Sequence, residues 1–208
     1  MMKKYFAALS ATALISMAPY ALAALETDLT VTGTITPRAC TPLLSEGGNV
    51  DHGKISSKDL NKDKVTKLAI KTLQLTVNCD SPIAFRLNPI DNQLGSSIDT
   101  GFMWGLGKIN GDQNLGGYEL QLSAPLADGV SVYPLISYDN GSTWTRSSFM
   151  APSAISSFSA TSVPAIPVAI KDLVTNLKVY TVIARADSLD LTNDAAIDGS
   201  ATLEVLYP

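Results

Sequence analysis

Two stretches near opposite ends of the chain alternate between apolar and polar residues, and this pattern limits the fold more than any other feature. In the first stretch, the residues that share the apolar parity are Leu25, Leu29, Val31, Gly33 and Ile35. In the second stretch, which runs up to Pro208, they are Ala201, Leu203, Val205 and Tyr207. Because successive side chains of a strand point to opposite faces, each stretch predicts a β-strand with one buried face. The surface that buries this face could belong to the same domain or to another molecule.

The first 23 residues have the pattern of a secretion signal. Lys3 and Lys4 precede an apolar run, and Ala21-Leu22-Ala23 has the small residues of a signal-peptidase site. A retained membrane anchor is the alternative, but the run is shorter than the roughly 20 residues of a spanning helix. We therefore expect residues 1–23 to be a signal peptide, with cleavage before Ala24. The mature chain would then reach the periplasm or beyond, with no membrane insertion.

The charge balance argues against nucleic acid as a partner. The chain has a net charge of −4 at pH 7, whereas nucleic-acid binding requires a basic face. The length after signal removal suits one all-β domain.

The two cysteines are expected to pair. Cys40 and Cys79 are the complete set in this sequence, and in an oxidising compartment such a pair favours one disulfide. Metal binding is the rival interpretation. Two thiols and the single histidine, His52, do not reach the four ligands of a typical zinc site. We therefore expect no metal and no cofactor.

Short strands separated by turn residues dominate the rest of the chain. Leu73, Leu75, Val77 and Cys79 alternate with polar residues and predict a half-buried strand. Residues 177–186 are rich in β-branched and aromatic side chains and predict a central strand. Residues 150–167, which are rich in Ser, Ala and Pro, predict an irregular crossing over one end of the sheets. Strands at this spacing favour a β-sandwich.

One turn carries a known sequence motif. Ser137-x-Asp139-x-Gly141-x-Thr143-Trp144 matches the Asp-box of sialidases and related propeller proteins. A propeller needs several blades, and this chain carries one copy of the motif. A structural hairpin is therefore favoured, with Asp139 capping the turn and Gly141 at positive φ.

Other candidate catalytic or metal residues favour structural roles. His52 lies in a turn-like stretch and is expected to be a solvated loop residue. Asp187, Asp190, Asp194 and Asp198 form an acidic run without the spacing of a calcium loop, so a solvated loop is expected there too. The sequence therefore predicts a protein that is not an enzyme.

Several motifs in order resemble the pilins of chaperone–usher fimbriae. A donor-like strand with Gly33 runs into Cys40, the second cysteine ends an alternating strand, and Tyr207 is penultimate. A closer resemblance is to the beta-fimbriae major subunit family of Gram-negative bacteria, also labelled a domain of unknown function. The segments that carry this closer resemblance are Cys40-Thr41-Pro42, residues 47–54, residues 102–107 and Gly116-Gly117-Tyr118.

The resemblance implies an immunoglobulin-like sandwich that lacks its last strand. In such pilins a periplasmic chaperone lends a strand to the open groove, an outer-membrane usher assembles the fibre, and the next subunit's N-terminal extension replaces the chaperone. Residues 24–36 would be the donor strand leading into the first strand, and residues 37–208 the domain. The donated positions would be Leu25, Leu29, Val31 and Gly33, with Ile35 at the transition into the domain. The groove wall and chaperone-binding strand would comprise Ala201, Leu203, Val205, Tyr207 and the carboxylate of Pro208.

Two other interpretations remain open from the sequence. Both terminal strands could pair within one domain and complete the sandwich. The chain would then be a monomeric periplasmic or surface-exposed module that binds carbohydrate through exposed aromatic residues such as Trp104 or Trp144.

Overall fold

The regular structure consists of β-strands and three short 3₁₀ turns in a computed structural model that describes Thr30 and residues 40–207. This part of the chain contains no α-helix, so the all-β prediction is confirmed. Residues 40–207 belong to one unit, Thr36–Pro208. The predicted signal peptide, the predicted donor positions and Pro208 lie outside the described residues.

Most of the strands are short, and three are long, namely β3 (Lys71–Ile83), β8 (Gly116–Ala127) and β14 (Ile170–Ile183). In chain order they are β1 (Cys40–Leu44), β2 (Thr66–Lys67), β3 (Lys71–Ile83), β4 (Arg86–Asp91), β5 (Trp104–Gly105), β6 (Lys108–Ile109), β7 (Gln113–Asn114), β8 (Gly116–Ala127), β9 (Val130–Ser131), β10 (Tyr133–Ser137), β11 (Thr145–Arg146), β12 (Phe149–Met150), β13 (Ile155–Ser159), β14 (Ile170–Ile183) and β15 (Ala201–Leu206). The 3₁₀ turns are Ser45–Gly48, Ser57–Asp59 and Ala186–Ser188.

Two antiparallel sheets contain almost all of these strands. The first sheet has the order β1-β3-β14-β8-β12, with β2 on β14 and both β5 and β9 on β8. The second sheet has the order β11-β10-β13-β4-β15. Strands β6 and β7 form a separate hairpin. The first and last strands among the described residues, β1 and β15, are therefore each at the edge of a different sheet.

Both sheets contribute to one hydrophobic core, as expected of a sandwich. Leu75 and Val77 of β3 come from the first sheet, and Leu87 of β4 and Phe158 of β13 come from the second. All four are completely buried. Phe85, just before β4, packs edge-on against Phe158 with ring centroids 6.4 Å apart. The arrangement is compatible with the predicted β-sandwich.

Alternating sequence patterns predicted two of the long strands correctly. The expected strand at residues 73–79 lies within β3, where its apolar members are buried and the residues between them are not. The expected central strand at residues 177–186 lies mostly within β14, which is the middle strand of the first sheet. Both patterns depend on period-two alternation or β-branched composition, which local sequence alone expresses.

The prediction of an irregular crossing at residues 150–167 is wrong for β13, whereas residues 151–154 and 160–167 contain no strand. This segment contains β13, the middle strand of the second sheet, in which all five residues are buried. One of its buried serines, Ser157, has a hydrogen-bond partner from another segment. The hydroxyl of Ser157 donates a hydrogen bond to the backbone carbonyl of Phe85 at 2.9 Å. Polar side chains with such a partner can be buried at little net cost.

The predicted disulfide is confirmed. Cys40 of β1 and Cys79 of β3 lie directly opposite each other in the antiparallel ladder and are bonded. The bond therefore ties the edge strand β1 to the first sheet.

Candidate functional site

Strands β1 and β15 lie beside each other on one side of the sandwich, and we call this pair of edge strands the edge seam. In the described part of the chain, β1 pairs with β3 alone and β15 pairs with β4 alone. The backbone N–H of Cys40 donates a hydrogen bond of 2.7 Å to the hydroxyl oxygen of Tyr207. The start of β1 is thus joined to the end of β15 across the two sheets.

Apolar side chains at the edge seam are only half covered. Leu44 of β1 and Leu203 and Val205 of β15 pack against the core but remain half-buried. One strand further in, Leu75 opposite Leu44 and Leu87 opposite Val205 are completely buried. The core is therefore closed beneath β3 and β4 and incompletely covered at the edge. An additional strand with an apolar face would complete this cover.

The edge seam also presents unpaired backbone. Along their outer edges, β1 and β15 have no strand partner among the residues that the structure describes. A free sheet edge is a row of N–H and C=O groups that can pair with another strand. Hydrogen bonds along such an edge contribute affinity, and pockets for alternate side chains determine the register. The chemistry available at the edge seam is therefore recognition of an extended chain.

Not all of the predicted groove residues line the edge seam equally. Leu203 and Val205 contact the core, Ala201 is exposed, and Tyr207 contributes its hydroxyl to the bond with Cys40. Leu44 belongs to the same half-covered surface, although the sequence interpretation did not include it. A period-two pattern through Cys40, Pro42 and Leu44 would have indicated that inward face.

Glycines near the middle of the chain let segments pack closely, which explains two of the segments that carry the resemblance. A methyl group added at Gly105 of β5 would collide with the backbone carbonyl of Gln93, and one at Gly116 of β8 would collide with that of Val182. The carboxylate of Asp91 accepts the backbone N–H of Gly105 at 2.9 Å. These residues build the sandwich, and they lie on β5, β8 and the segments that contact them.

Trp104 is not an exposed ligand platform, so that part of the carbohydrate-binding interpretation is wrong. Its side chain is completely buried, its Nε1–H donates to the carbonyl of Met150 at 3.3 Å, and its ring stacks on Tyr118 with centroids 6.0 Å apart. Burial, followed by the nearby carboxylate of Asp91, raises the pKa of Tyr118. Trp144, the other aromatic residue considered, is half-buried.

The Asp-box motif forms the predicted hairpin. Strands β10 and β11 pair on either side of it, and Gly141 has a φ of +90°. The carboxylate of Asp139 accepts hydrogen bonds from the backbone N–H and the hydroxyl of Thr143, at 2.8 and 2.6 Å, and from the hydroxyl of Ser137 at 2.7 Å. These donors, those of Thr143 above all, lower the pKa of Asp139 to about 2. The motif therefore holds a turn.

His52 is not the solvated loop residue that the sequence predicted. It is half-buried, and its Nε2 lies 2.9 Å from the hydroxyl of Thr181 on β14. Burial, and then the positive charge of Lys71, lower the pKa of His52. Here the loop is held against the first sheet by a contact with a residue distant in sequence, which local composition does not indicate.

Residues of the acidic run take part in local and cross-chain hydrogen bonds. Asp190 accepts from the backbone and hydroxyl of Thr192, which lowers its pKa, and Asp198 accepts from the side chain of Gln93. Within residues 40–207, no three His, Cys, Asp or Glu side chains are grouped so that they could hold a metal ion. None of the helices in the same part of the chain has the length and apolar character needed to cross a membrane.

Comparisons with known proteins agree with part of the sequence resemblance. Residues 29–101 match the model of a family described as a protein of unknown function, DUF1120. The chain is 34% identical to Protein GltF of Escherichia coli strain K12 over 96 residues, which cover 44% of this chain and 37% of GltF. It is 25% identical to the uncharacterized protein YhcF of the same strain over 126 residues, which cover 50% of this chain and 53% of YhcF.

Each match covers only part of this chain and only part of the relative. The chain spans roughly a third to a half of the length of these curated relatives. The matched family region contains β1, the disulfide pair, β3 and β4, and so includes one strand of the edge seam. Residues 29–101 of the chain are therefore similar to the DUF1120 family.

Proposed function

We propose that the chain is a structural subunit of a chaperone–usher fimbria and that it polymerises by donor-strand complementation. Residues 24–36 of one chain would add a strand to the edge seam of the next. The observation that supports this proposal is the half-covered apolar surface of Leu203 and Val205 beside β1, whose outer edge has no strand partner among the described residues. The chain would be exported, would act without catalysis, and would reside in a surface fimbrium that supports adhesion.

The predicted donor strand has an apolar face with period-two spacing, which matches the half-covered apolar surface of the edge seam. Leu25, Leu29 and Val31 share one face, and burying each contributes roughly 1.5–3 kcal/mol before the cost of ordering the segment. Gly33 lacks a side chain and would allow close approach to the acceptor backbone. Each backbone hydrogen bond of the new ladder would add about 0.5–1.5 kcal/mol.

The same geometry implies how subunits would assemble and why the edge seam would need a chaperone before assembly. A donor on one part of the chain and an acceptor on another make a head-to-tail contact, which produces an open filament when it does not close into a ring. An uncovered apolar edge is an aggregation hazard, so a periplasmic chaperone would cover the edge seam until an outer-membrane usher adds the next subunit.

Two variants test the proposal, one that disrupts the donor strand and one that disrupts the edge seam. Val31→Asp would place a charge on the donor's apolar face, and Leu203→Asp would place one in the edge seam. Expressed singly in the native host, each is expected to abolish fibres seen by electron microscopy. Expressed together, the intact donor of the Leu203→Asp chain should fill the intact seam of the Val31→Asp chain. Heterodimers stable in SDS are therefore expected, without long fibres.

Matched substitutions on the opposite faces serve as controls. Thr30→Asp alters the polar parity of the donor, and Glu204→Gln alters the exposed parity of β15; both are expected to keep fibres. A wild-type chain that purifies as a stable monomer, with the β15 amides protected from exchange by its own residues 24–36, would contradict the proposal. That result would favour a sandwich completed within one chain.

A further inference from the structure

A cleft of about 610 Å³ lies on the side of the sandwich opposite the edge seam. Its lining comes from β8, β10, β11 and β12 and the segments between them. Strand β12 ends the first sheet at the edge away from β1, and β11 ends the second sheet at the edge away from β15. The cleft and the edge seam are therefore separate surfaces.

The backbone explains why a cleft forms at this position. Between β11 and β12 the chain crosses from the second sheet to the first through Ser147 and Ser148. The N–H of Ser147 donates to the carbonyl of Pro134 at 3.1 Å, and the carbonyl of Ser148 accepts from Leu122 at 2.7 Å. On the facing strand, Ala124 has a φ of +52° at a register shift between β8 and β14. Such a bulge bends its strand and opens space beside the crossing.

Arg146 is a positioned cation in this cleft. Its guanidinium carbon lies 4.4 Å from the centroid of the Tyr133 ring, a cation–π distance. Among the described residues that line the cleft, Arg146 alone is charged. The ion pair found within residues 40–207 is Arg185–Asp187, so no described carboxylate neutralises Arg146. An arginine that is held on an aromatic ring and has no carboxylate partner is a suitable receiver for an anionic ligand.

The other groups in the lining favour a sugar as the carrier of that anion. Tyr133 and Phe149, the latter 48% exposed, offer aromatic surface. Ser123 and Ser148 supply hydroxyls to the lining, and that of Ser148 accepts from the side chain of Gln121 and can still donate. The hydroxyl of Ser147 is engaged with the backbone of Phe149. Strands β9, β11 and β12 have two residues each, which leaves little edge for the backbone of an acidic peptide.

We propose that this cleft binds a carboxylated monosaccharide unit, with Arg146 receiving its carboxylate. A planar guanidinium can donate two parallel hydrogen bonds to a carboxylate, while Tyr133 fixes the guanidinium from its other side. Because the cleft lies away from the edge seam, its occupancy is independent of the proposed polymerisation. In a fibre it would stay accessible on every subunit.

Titration of the full chain with defined sugars tests the proposal. Isothermal titration calorimetry and saturation-transfer NMR with N-acetylneuraminate and glucuronate are expected to show binding. Galactose and glucose should bind at least tenfold more weakly, because they lack the charge-assisted bond to Arg146. Arg146→Gln is expected to weaken binding of the acidic sugars at least tenfold. Arg146→Lys should have an intermediate effect, because lysine keeps the charge and loses the paired geometry.

Control variants distinguish loss of binding at Arg146 from an effect of net charge and from misfolding. Arg185→Gln removes an exposed arginine outside the cleft and should leave the affinity unchanged. Circular dichroism and fibre assembly of Arg146→Gln should match the wild type, so loss of ligand and loss of assembly are distinguishable. Equal affinity for galactose, binding that survives Arg146→Gln, preference for a glutamate-rich peptide, or no binding at millimolar sugar would each overturn the proposal.

Discussion

Single polar residues in this domain act mainly by holding turns and close backbone contacts. Asp91 is buried and uses both carboxylate oxygens on backbone N–H groups, those of Gln93 and Gly105, each at 2.9 Å. In an exposed hairpin, Asp139 accepts the backbone N–H of Thr143 with one carboxylate oxygen and the hydroxyl of Thr143 with the other. In both cases the carboxylate satisfies donors that the turn leaves without a strand partner.

The hydrogen bonds of Asp139 predict that the stability of the fold depends on pH in the acidic range. Its pKa in the folded chain is about 2, below the ordinary 3.8, so the stabilisation is complete above about pH 4 and is lost as pH falls toward 2. The difference in thermal midpoint between the wild type and Asp139→Asn should therefore be largest at pH 5–7 and nearly vanish at pH 2. Thermal unfolding followed by circular dichroism measures it. Asp112→Asn, an exposed position without a hydrogen bond to other described residues, should show no such trend. A difference that is constant across this pH range would contradict the assignment.

At the scale of elements, local sequence predicts the inward residues of the edge strand β15 but does not predict β13. The inward residues of β15, Leu203 and Val205, follow from alternation alone. The buried Ser157 of β13 does not, because its partner, the backbone carbonyl of Phe85, comes from a distant segment. The half-burial of Leu44 and Leu203 is likewise invisible in the sequence, since it depends on the absence of a strand beside them in the described chain.

The hydroxyl of Tyr207 is expected to hold the two edge strands together. Tyr207→Phe removes the acceptor for the Cys40 N–H while keeping the ring. The expected loss in unfolding free energy lies near the lower end of roughly 0.5–1.5 kcal/mol, because the bond is exposed. Hydrogen exchange of the Cys40 amide should accelerate, and urea unfolding should report the loss. Tyr138→Phe is the matched control, since that exposed ring has no described hydrogen bond through its hydroxyl. Unchanged exchange at Cys40 would show that the bond has no role in solution.

For the whole molecule, the disulfide is the main covalent constraint on the edge seam. It links positions 39 residues apart and fixes β1 to β3. A loop of that length corresponds to roughly 4 kcal/mol in the chain-entropy model, and measured values are often smaller. Reduction, or the Cys40→Ser/Cys79→Ser pair, should therefore lower the urea midpoint by an amount corresponding to several kcal/mol. Added reductant should not change the double variant further. An equal midpoint with and without reductant in the wild type would show that β1 is held by its ladder alone.

The amino-acid sequence by itself determined the all-β class, the course of β3 and β14, the disulfide pair and the Asp-box hairpin. Each of these depends on alternation, turn residues or cysteine content, which are local properties. The tertiary structure alone decided that Trp104 is buried, that His52 contacts Thr181, that β13 is a central strand, and that Arg146 rests on Tyr133 over a cleft. Burial and hydrogen-bond partners at these positions are supplied by residues far away in the chain, so no local pattern encodes them.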